Sequence, residues 1–219
     1  MILKLVLPVK PRADIEKLGT SYGGWKVPTS LLDADSICYL VGVGEDISFD
    51  LALIERFGCT VDAFDPTPRA IEYIDVQGLE TSDYRFHPVG LWSEDSIQRF
   101  YEPSNPEHVS HSIVNLQQTS GYFKASVRRL SSMMKELGHA HLDLLKIDIE
   151  GAEYAVLQSL LDDGLDITTI CVEFDQPTPL RKMMGMVKRL REARYDLVAI
   201  DGWNMTFIRP PEAGAVHPD

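Results

Sequence analysis

The chain is poor in the features that would suit it to nucleic acid or to a lipid bilayer. Lys and Arg number 21 against 33 Asp and Glu, a net charge of −12. A non-specific nucleic-acid binder gains its affinity by neutralising phosphates with clustered cations, so this balance argues against such a partner. No apolar run approaches the roughly 20 residues of a membrane-spanning helix. The apolar start at 1–7 is followed by Pro8, Lys10 and Pro11, with no small-residue cleavage site. Cysteine is scarce. Cys38, Cys59 and Cys171 stand apart in the sequence beside apolar residues, and without a CxxC spacing that could hold zinc they read as buried free thiols in a reducing compartment. Repeats, low-complexity blocks and Gly/Ser linkers are absent. A cytoplasmic protein with one main α/β domain is expected, without integral membrane association or a nucleic-acid partner, acting on a small molecule or a glycan.

What is present is an alternation of apolar runs and helical periodicity, the pattern of repeated β-α units. Strands are predicted at 1–8, 36–41, 60–64, 84–91, 142–148 and 167–174, and helices at 49–57, 68–76, 127–137, 152–161 and 180–194. Thr67 is placed to cap a helix that has Pro68 at its first position, and Gly138 is placed to stop one. The polar stretch 93–122 reads as hairpin and loop. In 180–194, Leu180, Met183, Met184, Val187 and Leu190 form one face, opposite a solvated face of Arg and Lys. The last strands, 197–200 and 205–208, are joined by too short a link for a helical crossover and pair antiparallel. The tail from Pro210 is loose. A mostly parallel sheet binds ligands beyond the carboxyl ends of its strands, so site residues are sought there.

Three strand ends carry chemistry. At 41–48 a glycine pair, Gly42 and Gly44 around Val43, separates a strand from a helix, where glycine lets backbone approach a ligand. The helix start then offers Glu45 and Asp46. A carboxylate about 4 Å from a phosphate costs ~1 kcal/mol in water and ~4 at a surface-like dielectric. The pair therefore either faces a positively charged ligand, such as the sulfonium and ammonium of S-adenosylmethionine, or complements the helix dipole. Asp65, about 20 residues further on, stands where an acid accepts hydrogen bonds from ribose hydroxyls. The run 144–153 packs Lys146, Asp148, Glu150 and Glu153 around a strand-to-helix turn, a concentration of charge costly to bury unless paired. Asp148 and Glu150 are read as orienting a substrate hydroxyl, holding the sulfonium side of a cofactor or binding a hard cation. The alternative is a structural pair of Lys146 with one carboxylate, with Glu153 supporting the helix.

The succession Val-Gly-Val-Gly-Glu-Asp-Ile (41–47), Ala-Phe-Asp-Pro-Thr-Pro (63–68), Leu-Leu-Lys-Ile-Asp-Ile-Glu-Gly-Ala-Glu (144–153) and Val-Glu-Phe (172–174) resembles the FkbM-type S-adenosylmethionine-dependent methyltransferases over 36–208. The resemblance implies the class I methyltransferase fold, Rossmann-like, with a seven-stranded mostly parallel sheet and an antiparallel terminal hairpin. The implied reaction is O-methylation of a sugar, glycolipid or polyketide-like hydroxyl. The methyltransferase domain falls on 36–209, an N-terminal extension or lid on 1–35, and a loose tail on 210–219. Cofactor contacts fall on Gly42, Val43, Gly44, Glu45, Asp46, Asp65, Pro66 and Glu150, on Gly90 and Leu91 beside the adenine, and on Tyr22 and Trp25 from the lid. Gly42 stands where the family usually carries Asp, and Ser48 where it carries Gly. Asp148 is the first candidate to orient or deprotonate the hydroxyl and His111, in the polar stretch with His108, the second. Glu173 lies at a strand end near the substrate. A divalent metal between Asp148 and Glu173 is a lesser alternative, without an evident third ligand. The competing functions are an NAD-dependent oxidoreductase, against which the missing third glycine and Glu45-Asp46 count, and a non-catalytic scaffold.

Overall fold

The computed structural model describes residues 7–79, 81–103, 111–115, 118–174 and 178–210. The predicted strand at 1–8, apart from its last two residues, and the tail beyond Pro210 lie outside these, as does His108. The elements are β1 (Ile15–Leu18), β2 (Trp25–Pro28), β3 (Ile37–Val41), α1 (Ser48–Phe57), β4 (Thr60–Phe64), α2 (Pro68–Gln77), β5 (Tyr84–His87), β6 (Gly90–Leu91), β7 (Ser96–Tyr101), β8 (Tyr122–Arg128), α3 (Leu130–Leu137), β9 (Leu142–Ile147), α4 (Glu153–Asp162), β10 (Ile167–Glu173), α5 (Leu180–Glu192), β11 (Asp196–Asp201) and β12 (Asn204–Ile208). A seven-stranded sheet has the order β11-β12-β10-β9-β3-β4-β5. Only β12 runs antiparallel to its neighbours, as the class I methyltransferase fold requires.

The central strands are apolar runs because both of their faces are covered. Side chains alternate across the sheet: Tyr39 and Val41 enter a cluster with α3, α4 and α5, whereas Cys38 and Leu40 enter one with α1 and α2. The second cluster also takes Trp25 and Val27 of the β1–β2 hairpin, whose short polar strands left no sequence pattern. All three cysteines are free and buried, and Cys38 and Cys59, far apart in sequence, bring their Sγ atoms within 3.9 Å.

Three expectations change in substance. The single strand at 84–91 is two: β5 ends at His87 in the main sheet, while β6 pairs with β8 in a separate three-stranded sheet of order β6-β8-β7. Pro88 between them has no N–H for a ladder. The helix placed at 127–137 starts only at Leu130, because Val127 and Arg128 end β8 opposite Gly90 and Leu91. On α5 the buried face is Met183, Met186, Val187 and Leu190, while Leu180 and Met184 are 41% and 39% exposed. That correction is testable. Met186→Ala should lower unfolding stability by about 2–5 kcal/mol, and Met184→Ala by no more than about 0.5 kcal/mol, measured by urea denaturation.

Candidate active site

The chain leaves β3, the strand where the sheet order reverses, through Gly42 at φ 84°. A Cβ there would stand 1.8 Å from the Asp148 carbonyl oxygen. The ends of β3 and β9 thus meet so closely that no side chain fits at position 42. Beyond the loop, Asp46 accepts from the Ser48 N–H (2.8 Å) and the Thr20 hydroxyl (2.7 Å), and Ser48 Oγ accepts from the Thr20 N–H (2.9 Å). These bonds seat the β1–β2 turn on the start of α1. The Gly23-Gly24 pair in that turn serves close packing, since a Cβ at Gly24 would lie 2.3 Å from the Thr20 carbonyl oxygen. Tyr22 beside it is 86% exposed at the rim and Trp25 is buried.

Asp65, at the end of β4, is turned inward on the loop. Its Oδ2 accepts from the N–H groups of Val43 (3.0 Å) and Gly44 (3.1 Å), and its Oδ1 from the Thr67 N–H (2.8 Å) and hydroxyl (2.6 Å). The residue expected to accept from ribose hydroxyls thus also fastens the glycine loop, and it stands on the cleft wall.

Near the end of β9, Lys146 is buried. Its ammonium donates to the Gly42 carbonyl and lies 3.2 Å from Asp148 Oδ2 and 5.7 Å from the Trp25 ring centroid. Lys146 and Asp148 are an ion pair, and that pair stands on the wall of a cleft. Glu150 adopts φ 54°, a conformation costing a non-glycine residue about 1–2 kcal/mol, and its carbonyl accepts from the Ser112 hydroxyl. Glu153 is fully buried behind the turn and accepts from the Gly151 N–H (2.8 Å), so it supports the helix start. Behind Lys146, Asp50 is buried and its Oδ1 has no hydrogen-bond partner among the described residues. Burial pushes its carboxyl up to about 6, against the opposing charge of Lys146.

One cleft of about 330 Å³ gathers these groups. Its wall takes Tyr22 and Trp25 from the hairpin, Gly42 to Asp46 from the loop, Asp65 and Pro66 after β4, and Gly90 and Leu91 from β6. Asp148, Glu150, His111 and Glu173 complete the candidates brought together. His111 stands edge-on to Phe123 at 5.3 Å. Sequence reasoning gave no site role to Lys146, Phe100 or Asn204, which also line the cleft. Lys146 was visible in the charged run. Asn204 becomes a neighbour only through the β10–β12 register, which sets it opposite Glu173. Among the described residues no group of three His, Cys, Asp or Glu side chains could hold a metal ion.

An open α/β sheet with a ligand cleft at its switch point is a nucleotide-cofactor architecture, and the relatives narrow it. A family model described as the methyltransferase FkbM domain matches residues 38–197, and the chain belongs to that family. It is 28% identical over 130 residues to a human protein named "Probable methyltransferase-like protein 24", covering 58% of this chain and 29% of that one. With "Methyltransferase 1" of Beauveria bassiana it shares 28% identity over 156 residues, covering 59% of this chain and 61% of that protein. Among solved structures, Aeropyrum pernix fibrillarin in complex with natively bound S-adenosyl-L-methionine is 9% identical, with a TM-score of 0.46 over 93% of this chain and 86% of that one. M. capricolum TrmK in complex with S-adenosyl-homocysteine is 12% identical, with a TM-score of 0.45 over 82% and 65%.

Two outcomes follow from the geometry. Gly42→Ala adds both a left-handed strain and a clash with Asp148, and should cost more than about 2 kcal/mol in chemical denaturation. Gly44→Ala, where a Cβ meets nothing within 4 Å, should cost only the φ penalty of about 1–2 kcal/mol, leaving it the milder variant. Asp50 sets a pH dependence. Its folded value lies above the unfolded one of about 3.9, so its contribution to stability is fully present below that pH and is lost as pH rises through about 6. Asp50→Asn should therefore gain about 1–3 kcal/mol on wild type near pH 8, and the gain should shrink towards about pH 4.

Proposed function

We propose that the chain transfers a methyl group from S-adenosylmethionine to a hydroxyl of a sugar, glycolipid or polyketide-like acceptor. The observation that carries the reading is the charge of the cleft. Glu45, Asp46, Asp148, Glu150 and Glu173 line it, and Lys146 is the one lysine or arginine on its described wall. Such a wall favours a ligand bearing a sulfonium and an ammonium and disfavours the pyrophosphate of a nicotinamide cofactor. The chain spans about 29% of the human relative's length, so the family's activity enters here as a reading of this cleft.

In this reading Gly42 to Asp46 hold the methionine side of the cofactor, while Pro66, Gly90 and Leu91 border the base. Asp65 contributes by fixing the direction of the Val43 and Gly44 N–H groups. S-adenosylmethionine supplies an electrophilic methyl group on a sulfonium. The protein has to align the attacking oxygen and take its proton, which are matters of positioning and general-base chemistry. Asp148, partly exposed and oriented by Lys146, would accept the hydrogen of the hydroxyl and take its proton as the methyl group's bond to sulfur gives way to its bond to oxygen. His111, on the same cleft, is the second acceptor. Glu173 and Asn204 stand at the acceptor end.

Titration calorimetry with S-adenosylmethionine, with and without magnesium, tests the cofactor. Metal-independent binding is expected. Binding of NAD in its place overturns the reading, and binding only with magnesium would assign Asp148 and Glu173 to a metal. Asp148→Asn should lower turnover about 10²–10⁴-fold with cofactor affinity retained. Full activity would remove Asp148 from the proton transfer.

A further inference from the structure

The β7–β8 ribbon has two unlike faces. Phe100 points into the cleft and stacks on Phe123, its cross-strand partner, at 5.2 Å. The opposite face pairs Ile97 with Ser126, Arg99 with Lys124 and Tyr101 with Tyr122. Like charges directly across a ladder repel, and Arg99 and Lys124 are both exposed. Neither has an ion-pair partner among the described residues, in a chain whose carboxylates outnumber its cations by twelve. The Arg99 guanidinium lies over the Tyr122 ring at 4.7 Å, which holds it in place.

Ile97, Gln98, Arg99, Tyr101, Ile113 and Lys124 line a groove of about 470 Å³ on this face. Ile113 is also on the wall of the cleft. Its neighbour Ser112 pairs with Tyr101 and bonds to the Glu150 carbonyl, so groove and cleft adjoin across one short segment. The two differ in sign: the cleft is lined by carboxylates and repels an anion, while the groove offers two cations and an apolar flank.

We propose that the acceptor carries an anionic group, such as a phosphate ester, that Arg99 and Lys124 hold in this groove while the hydroxyl to be methylated reaches Asp148. The inference rests on the methyltransferase reading above and adds the acceptor's charge to it. Two cations suit one compact anion. An extended polyanion or an anionic lipid surface would also meet the rest of a protein of net charge −12, and repulsion between charges acts over a Debye length of about 10 Å.

The test is titration of the full chain with glucose, glucose 6-phosphate and inorganic phosphate, each with and without S-adenosylhomocysteine. Glucose 6-phosphate should bind at least about tenfold more tightly than glucose, a difference of about 1.4 kcal/mol. The double variant Arg99→Gln/Lys124→Gln should erase that preference with S-adenosylhomocysteine affinity and thermal midpoint unchanged. Equal binding of the two sugars, no binding of either phosphate probe, or a preference that survives in the double variant overturns the proposal. So does tight binding to phosphatidylserine vesicles without binding of the sugar phosphate. Absence of S-adenosylhomocysteine binding would instead strike the methyltransferase reading, because the phosphate titrations without it are scored separately.

Discussion

The ammonium of Lys146, withdrawn from water between the Gly42 carbonyl and Asp148, is the interaction on which the site is built. Burying a lysine costs several kcal/mol unless its charge is matched and its donors are used. Here both matching groups come from the two strand ends that flank the reversal of sheet order. The same contact draws β3 and β9 together until a Cβ at position 42 has no room. Satisfying one buried cation therefore fixes the glycine loop, the direction of the Asp148 carboxylate and the position of the Trp25 ring.

Much of this was legible in the sequence where a single periodicity ruled a segment. β4 falls on its predicted residues, Thr67 caps α2 ahead of Pro68, and the last two strands pair as their short link demands. Patterns failed where an apolar residue serves a neighbour distant in sequence. Val127 looks helical beside Leu130 but is spent in a ladder with Gly90. Met184 fits the stripe of α5 by spacing, yet Met186 is the one the sheet covers. The β1–β2 hairpin has no long apolar run and enters the core through Leu18, Trp25 and Val27, so nothing periodic announced it.

The candidate site was legible for a related reason. Glycines and acids that follow strands lie in the cleft by topology, whatever their partners. What a residue does there depends on partners that a sequence does not align. Asp65 stands where expected, but Val43, Gly44 and Thr67 occupy its carboxylate. The two departures from the family pattern are likewise explained by tertiary neighbours. Gly42 answers to the Asp148 backbone, and Ser48 gives the hydroxyl that receives the Thr20 N–H. Each departure is used by the structure.

Charge then distinguishes the surfaces that adjoin at Ile113. Carboxylates gathered in one cleft repel one another, and three of them are held there by groups of the protein itself. Asp46 is tied to Thr20 and Ser48, Glu45 lies 3.3 Å from the Arg69 guanidinium, and Asp148 pairs with Lys146. The wall is thus built before any ligand arrives, and its remaining negative potential is available to a positive group that enters, with little reorganisation of the protein. Across the Ser112 segment the β7–β8 ribbon presents the reverse case, two cations facing each other with no acid paired to either among the described residues. In the acceptor proposed above, a neutral hydroxyl enters the first region, where the carboxylates would repel an anion, and the anionic group stays on the second, where the two cations attract it.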